Sequence, residues 1–393
     1  MPLQLPPLAL YIHVPWCIRK CPYCDFNSHQ ANNDIPEADY IAALRQDLAC
    51  DQSLAQGRKI TSIFFGGGTP SLLSAQAIGQ ILVDAEQLIG FEPHIEITLE
   101  ANPGTFEQEK FSGFRAAGVN RLSIGIQSFN DQQLHLLGRV HGRDEALRAV
   151  NVARKAGFDN INLDLMHGLP GQSVGDAQAD LQQAIELEPE HLSWYQLTIE
   201  QNTAFYSAPP VLPEEEILAD IQDAGQLLLA AAGYEHYEIS AYARAKQFSR
   251  HNLNYWEFGD YLGIGAGAHG KVTLPEQQNI LRLWKTRLPK HYLDAATSAR
   301  ISTNLQGHQN PFGGGSDLLG EESLPLEFMM NALRLHRGVP EQYFAQRTGL
   351  DFSAIASCWD ELARKKLVEL ADGALRPTPL GRRFLNRVLQ AFM

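Results

Sequence analysis

Short apolar runs alternate with amphipathic stretches over the first two-thirds of the chain, and that alternation admits few folds. The predicted strands are Leu8–Val14, Ile60–Phe65, Ile95–Glu100, Arg121–Ile126, Asn160–Met166 and His191–Thr198, with Tyr237–Ser240 as a further edge strand. Helical periodicity fills the gaps: Asp39–Leu48, Ala75–Leu88 after Ser74 as N-cap, Glu107–Ala117, Asp131–Leu137, Arg143–Ala156 before Gly157, Ala177–Leu187 and Glu214–Ala232 before Gly233. Strands separated by helices mean βα units and a parallel sheet. Six units fall short of the eight of a full barrel, so an open, partial barrel or a doubly wound sheet is expected. In either, the loops at the C-terminal strand ends carry the chemistry.

The pattern changes after a Gly- and polar-rich segment, Asn304 to Glu322, which reads as a loop. Leu326–Leu335 and Phe352–Lys366 read as helices. Leu367–Leu370 and Ala374–Arg376 read as a small hairpin, followed by a last helix at Gly381–Ala391. Helices followed by a hairpin resemble a winged-helix module. At 393 residues two domains are expected, placed at 1–275 and 276–393. A formal net charge of −13 argues against a broad nucleic-acid-binding surface. No apolar run reaches the ~18 residues of a membrane span, and Met1–Leu10 lacks the basic region and cleavage site of a signal peptide. A cytoplasmic location with at most peripheral membrane contact is expected.

Three of the five cysteines fall within eight residues, in Cys17-Ile-Arg-Lys-Cys21-Pro-Tyr-Cys24 directly after the first predicted strand. A metal site in a reducing compartment suits that spacing better than disulfides. Three thiolates on one loop bind three irons of a cubane and leave the fourth open to a small molecule. Tetrahedral zinc would need a fourth ligand, for which His13 and His29 are near. Cys50 and Cys358 sit in helical patterns and are expected to be buried thiols.

Polar residues and glycines recur at the ends of the later strands. They are Gly66-Gly67-Gly68-Thr69-Pro70, Glu100 in Leu-Glu-Ala-Asn-Pro, Gln127 in Ile-Gly-Ile-Gln-Ser, Arg139 in Arg-Val-His-Gly-Arg and Asp164 in Leu-Asp-Leu-Met-His-Gly-Leu-Pro. Glycines let backbone amides approach a ligand. A carboxylate at a strand end can accept bonds from ribose hydroxyls or an ammonium, and an arginine can pair bidentately with a carboxylate. His135, His141 and His167 flank this region and are expected to support it from behind.

The cysteine spacing, with Tyr11-Ile-His-Val-Pro-Trp before it, resembles the radical S-adenosylmethionine (radical SAM) superfamily. The motif order from Tyr11 to about Gly270 resembles the branch that holds oxygen-independent coproporphyrinogen III oxidase and the heme chaperone HemW. The resemblance implies a partial (β/α)6 radical-SAM barrel with a smaller, mainly helical, winged-helix-like C-terminal domain. It implies a four-iron, four-sulfur cluster (4Fe-4S) on Cys17, Cys21 and Cys24. It also implies S-adenosylmethionine contacts from Tyr11, Tyr23, Gly67, Gly68, Thr69, Glu100, Gln127, Arg139 and Asp164. In that superfamily a reduced cluster cleaves the bound sulfonium to methionine and a 5′-deoxyadenosyl radical.

Two departures separate the chain from the oxidase: Phe26 stands where the oxidase has a further cysteine, and only sixteen residues precede Cys17 where the oxidase has an extension. Both features, Cys-Pro-Tyr-Cys-Asp-Phe-Asn-Ser-His, and the blocks His251-Asn-Leu-Asn-Tyr-Trp256 and Gly263–Gly270 are similar to the heme chaperones. Heme is therefore the implied cargo and heme-acceptor proteins such as respiratory enzymes the implied partners, for a monomer or homodimer. The resemblance makes His251 the leading heme ligand, ahead of His269 and His13. The residues alone leave open that His251 merely hydrogen-bonds at the barrel's end, with Tyr255 and Trp256 in the core. The alternatives are an enzyme that decarboxylates coproporphyrinogen III, with Arg19, Lys20 and Arg143 meeting its propionates, and a radical enzyme acting on another substrate such as RNA.

Overall fold

The computed structural model describes residues 2–31, 35–297 and 310–393. One sheet of twelve strands organises the molecule. Six strands run parallel: β1 (Leu8–Val14), β2 (Ile60–Gly67), β3 (Phe91–Ala101), β4 (Arg121–Gln127), β5 (Ile161–His167) and β6 (His191–Gln196). Helices α1 (Glu37–Asp51), α2 (Ala75–Leu88), α3 (Phe111–Ala117), α4 (Arg143–Lys155), α5 (Val174–Glu186) and α6 (Glu215–Ala231) lie between or after them. Each strand pairs with its predecessor and the order never reverses. A doubly wound sheet reverses at a switch point, so the open alternative resolves to a partial barrel.

Further strands extend both edges. Beyond β6 come β7 (Glu235–Glu238) and β8 (Ala241–Ala243), with β8 against β6 and β7 outermost. On the other side β9 (Asp260–Ile264) pairs parallel to β1, and β10 (His269–Leu274), β11 (Asn279–Lys285) and β12 (Gly313–Leu318) follow antiparallel. Helix α7 (Arg250–Trp256) precedes β9.

Period-2 alternation explains the barrel. Leu122, Ile124, Ile161, Leu163, Ile97 and Leu99 are fully or almost fully buried in the main apolar core. The residues between them are polar and bond to one another across neighbouring strands. Asn162 Nδ2 donates to Ser123 Oγ (2.7 Å) and Asp164 Oδ1 (2.8 Å), and His191 Nδ1 donates to Asn162 Oδ1 (2.6 Å). Pairing of this kind makes such buried polar rows tolerable, although the Thr98 hydroxyl in the same layer is buried without a partner among the described residues.

Two expected helices are broken. The segment at Glu107–Ala117 divides into Thr105–Gln108 and α3, with Lys110 at the junction sending Nζ to the carbonyls of Ser71, Leu72 and Leu73. The last helix becomes Pro379–Arg383, Leu385–Leu389 and a 3-10 turn. The expected loop at Asn304–Glu322 lies partly outside the described residues, and its remainder contains β12. Strand β12 is glycine-rich because it runs over Trp284: a Cβ on Gly314 or Gly315 would fall 2.9 or 2.3 Å from that indole. Cys50 and Cys358 are helical as expected but only partly buried.

A second apolar core gathers Phe328, Phe344, Trp359, Leu375 and Val388 with Tyr237 and Phe258 of the first unit. It holds helices Leu324–Ala332, Gln342–Thr348 and Ser353–Arg364 and a sheet of Val339–Pro340, Val368–Ala371 and Ala374–Pro377. Because β11 and β12 continue the large sheet, we propose dividing the chain near Leu319 instead of at 275. No helix among the described residues is long and apolar enough to cross a membrane.

Candidate functional site

The cysteine loop leaves the end of β1 and is tied down at several points. Trp16–Cys17 pairs parallel with His29–Gln30, Ala31 N donates to Cys17 O (2.8 Å), and Phe205 N donates to Pro22 O (2.9 Å). Cys17, Cys21 and Cys24 are all free thiols. Burial raises the Cys17 and Cys24 thiols above their ordinary range, so both would ionise only with a cation or metal at hand.

The glycine loop is fastened to the cysteine loop. Gly68 N donates to Val14 O and Thr69 N to Trp16 O, both at 2.7 Å. A Cβ at Gly68 would lie 2.5 Å from Trp16 O, and one at Gly67, where φ is +114°, would lie 2.6 Å from the His13 ring. The Gly68 and Thr69 amides thus hold the chain that leads into Cys17, while Gly67 bonds to Glu100.

The strand ends close the site. All three cysteines, Tyr23, Gly67, Gly68, Thr69, Glu100, Gln127, Arg139 and Asp164 line one cavity of about 320 Å³. Tyr11 and His251 do not line it. Sequence reasoning passed over Asn102, Ser123, Ser193 and Tyr195, which line it too. Asn102 Nδ2 donates to Thr69 Oγ1 (3.2 Å), and Arg139 Nη2 donates to Asn102 Oδ1 (2.6 Å) and Gly125 O (2.7 Å). Arg139 Nη1 lies 3.7 Å from Cys21 Sγ. One polar line thus joins the glycine loop, two strand ends and the cysteine loop.

Gln127 holds φ +71°, and its Oε1 accepts from Tyr195 OH at 2.6 Å. A left-handed non-glycine residue costs about 1–3 kcal/mol and concentrates at functional sites. Asp164 accepts from Ser123 Oγ (2.9 Å) as well as Asn162; burial raises its pKa and these bonds oppose the rise. Burial and the nearby Asp164 push Glu100 up to about 8.

A larger cavity of about 950 Å³ adjoins this one and shares Phe26, Gly67 and Glu100 with it. Tyr11, His13 and His269 line this second space. His13 has both ring nitrogens in use, donating to Asn27 O (2.9 Å) and accepting from Tyr11 OH (3.0 Å). Both ring nitrogens are thus engaged within the fold in this arrangement.

His251 is buried behind Tyr255. Its Nδ1 is 3.1 Å from Ser62 Oγ and its Nε2 2.8 Å from Tyr255 OH, and burial lowers its pKa to about 3. Neither nitrogen is open to an iron in this arrangement. Arg19 lines the cluster cavity, whereas Arg143 bonds to Gln183 elsewhere. His141 donates to Ile126 O behind Arg139, His167 packs on Trp194, and His135 is exposed.

Sequence comparison gives these residues a family. The radical SAM superfamily profile matches residues 11–184, and the HemN C-terminal domain profile matches 319–384. The heme chaperone HemW of Haemophilus influenzae is 50% identical over 400 residues, spanning 99% of each chain. The chain belongs to the HemW family of radical SAM proteins. HemW of Escherichia coli is 48% identical over 392 residues, spanning all of this chain and 99% of its own. The fold matches coproporphyrinogen III oxidase of Escherichia coli at a TM-score of 0.79 and 22% identity, over 99% of this chain and 90% of that one. That fold likeness to an oxidase and the sequence likeness to HemW meet in one scaffold.

Proposed function

We propose that this chain binds heme and delivers it to acceptor proteins such as respiratory enzymes, with a 4Fe-4S cluster and S-adenosylmethionine bound at the barrel mouth. The observation that carries the cofactor part is the convergence of three free thiols, two partly buried carboxylates, Gln127 and Arg139 on one cavity. That donor set fits the cluster and the cofactor: thiolates for three irons, carboxylates for cationic and hydroxyl groups, and amides and a guanidinium for the rest. Cys17, Cys21 and Cys24 would hold the cluster, which supplies one-electron chemistry when bound. Glu100 and Asp164 would accept from the cofactor, and Gln127 is held toward it by Tyr195. Full-length similarity to proteins named heme chaperones supports the delivery role.

A second reading, radical decarboxylation of coproporphyrinogen III, draws on the oxidase-like fold. Phe26 weighs against it, standing between the two cavities as a hydrocarbon where the oxidase has a cysteine.

The test is anaerobic reconstitution with iron and sulfide, followed by two assays. Coproporphyrinogen III, S-adenosylmethionine and a reductant should give no protoporphyrinogen. Ferric heme should bind stoichiometrically and restore respiratory activity to heme-deficient membrane vesicles. Catalytic protoporphyrinogen formation would overturn delivery in favour of the oxidase.

A further inference from the structure

A heme site needs apolar walls of tetrapyrrole size, cationic groups for two propionates and an open ligand for iron. The 950 Å³ cavity lies near the top of the usual range for small-molecule sites, about 300–1,000 Å³. Its floor is built by strand register. Tyr261 of β9 sits opposite Lys271 of β10, Lys271 opposite Arg282 of β11, and His269 opposite Trp284. Since side chains alternate along a strand, His269 and Lys271 emerge on one face with Arg282 and Trp284 beside them. All line the cavity, as do Tyr255 and Trp256 of α7.

The polar groups there are incompletely used. Arg282 ion-pairs with Glu327 through Nη2, yet its buried Nε has no partner among the described residues, and neither has the buried Nε1 of Trp256. Unsatisfied buried donors are costly unless a ligand completes them. Arg287 adds an exposed cation at the same cavity. The His269 ring packs on Trp284 at 6.4 Å between centroids and makes no hydrogen bond among the described residues.

We propose that His269 is the axial ligand of the bound heme iron, with the macrocycle against Trp284, Tyr255 and Tyr261 and the propionates at Arg282 and Arg287. This rests on the delivery reading above and names its site. Partial burial of the ring and the two arginines hold the imidazole below its ordinary pKa, which keeps a lone pair available at neutral pH. His251, with both nitrogens bonded, lies one layer behind as the support of Tyr255.

The test titrates the reconstituted full chain with ferric heme and reads the Soret band and electron paramagnetic resonance. His269→Ala should weaken binding by at least about tenfold and lose the histidine-ligated signature. Free imidazole should restore that signature. Melting temperature, iron content and S-adenosylmethionine affinity should hold, because His269 is exposed and lines neither the cluster nor the cofactor cavity. An unchanged heme spectrum in His269→Ala, or loss of the signature in His251→Ala alone, would overturn the assignment. A wild-type chain that binds no heme would instead overturn the delivery reading itself.

Discussion

Arg139 reaches two places at once: Nη2 bonds to Gly125 O at 2.7 Å while Nη1 stands 3.7 Å from Cys21 Sγ. The guanidinium therefore links the end of a barrel strand to the cysteine loop and brings a positive charge to the Cys21 sulfur. Arg139→Gln should leave iron content near the wild-type value, since no thiol is removed. It should weaken S-adenosylmethionine binding about ten- to a hundredfold, the range set by losing a charged hydrogen bond worth about 1.5–3 kcal/mol. Titration of the cluster's paramagnetic signal with the cofactor measures this, and unchanged affinity would remove Arg139 from the site.

Cys17 and Cys50 separate a ligand from a bystander. Cys17 lines the cofactor cavity, while Cys50 lies in α1 apart from it. Cys17→Ala should abolish the cluster's visible absorbance after reconstitution, and Cys50→Ala should keep it. Equal iron in the two variants would remove Cys17 as a cluster ligand.

Much of this geometry was legible beforehand, for identifiable reasons. Strand β1 and helix α2 keep their expected bounds because an apolar run interrupted only by His13 marks a strand buried on both faces, and Ser74 does cap α2 by accepting from Ala77 N. Strand β10 escaped notice because Lys271 breaks its apolar pattern. That charge is tolerated through Asp260, 3.0 Å away, a partner that only the fold brings close. Tyr195 went unnoticed, although it shares strand parity with His191 and Ser193, and that parity was the available signal. Asn102 stood in a motif already noticed for Glu100, but its bond to Arg139 spans 37 residues.

Gly68→Ala tests whether the glycine loop serves the cysteine loop or the ligand. The added methyl group would meet the Trp16 carbonyl at 2.5 Å, a backbone atom that cannot rotate away. Separating the two loops should lower cluster occupancy and shift the melting temperature down, with far-ultraviolet circular dichroism nearly unchanged. A variant that reconstitutes fully and loses only cofactor affinity would instead assign the glycine to ligand contact.

Glu100 gives the site a pH dependence whose sign follows from its environment. Burial and Asp164 raise this carboxyl from 4.5 to about 8 in the folded chain. Between those values the unfolded chain releases a proton that the folded chain keeps, so stability falls as pH rises, by up to about 1.4 kcal/mol per pH unit. Glutamine has the neutral shape and no proton to release. Apo Glu100→Gln should therefore melt with the wild type near pH 5 and a few degrees above it at pH 8–9. Cofactor binding should run the other way if Glu100 accepts from the cationic methionyl group as proposed above, because the carboxyl must first lose its proton. Wild-type affinity should rise with pH up to about 8, while the variant's stays weak and flat. Thermal melts and cofactor titrations across pH 5–9 measure both. Coincident melting of the two apoproteins at pH 9 would mean that Glu100 ionises in the fold without penalty, and the stability cost of keeping this carboxyl beside Asp164 would be absent.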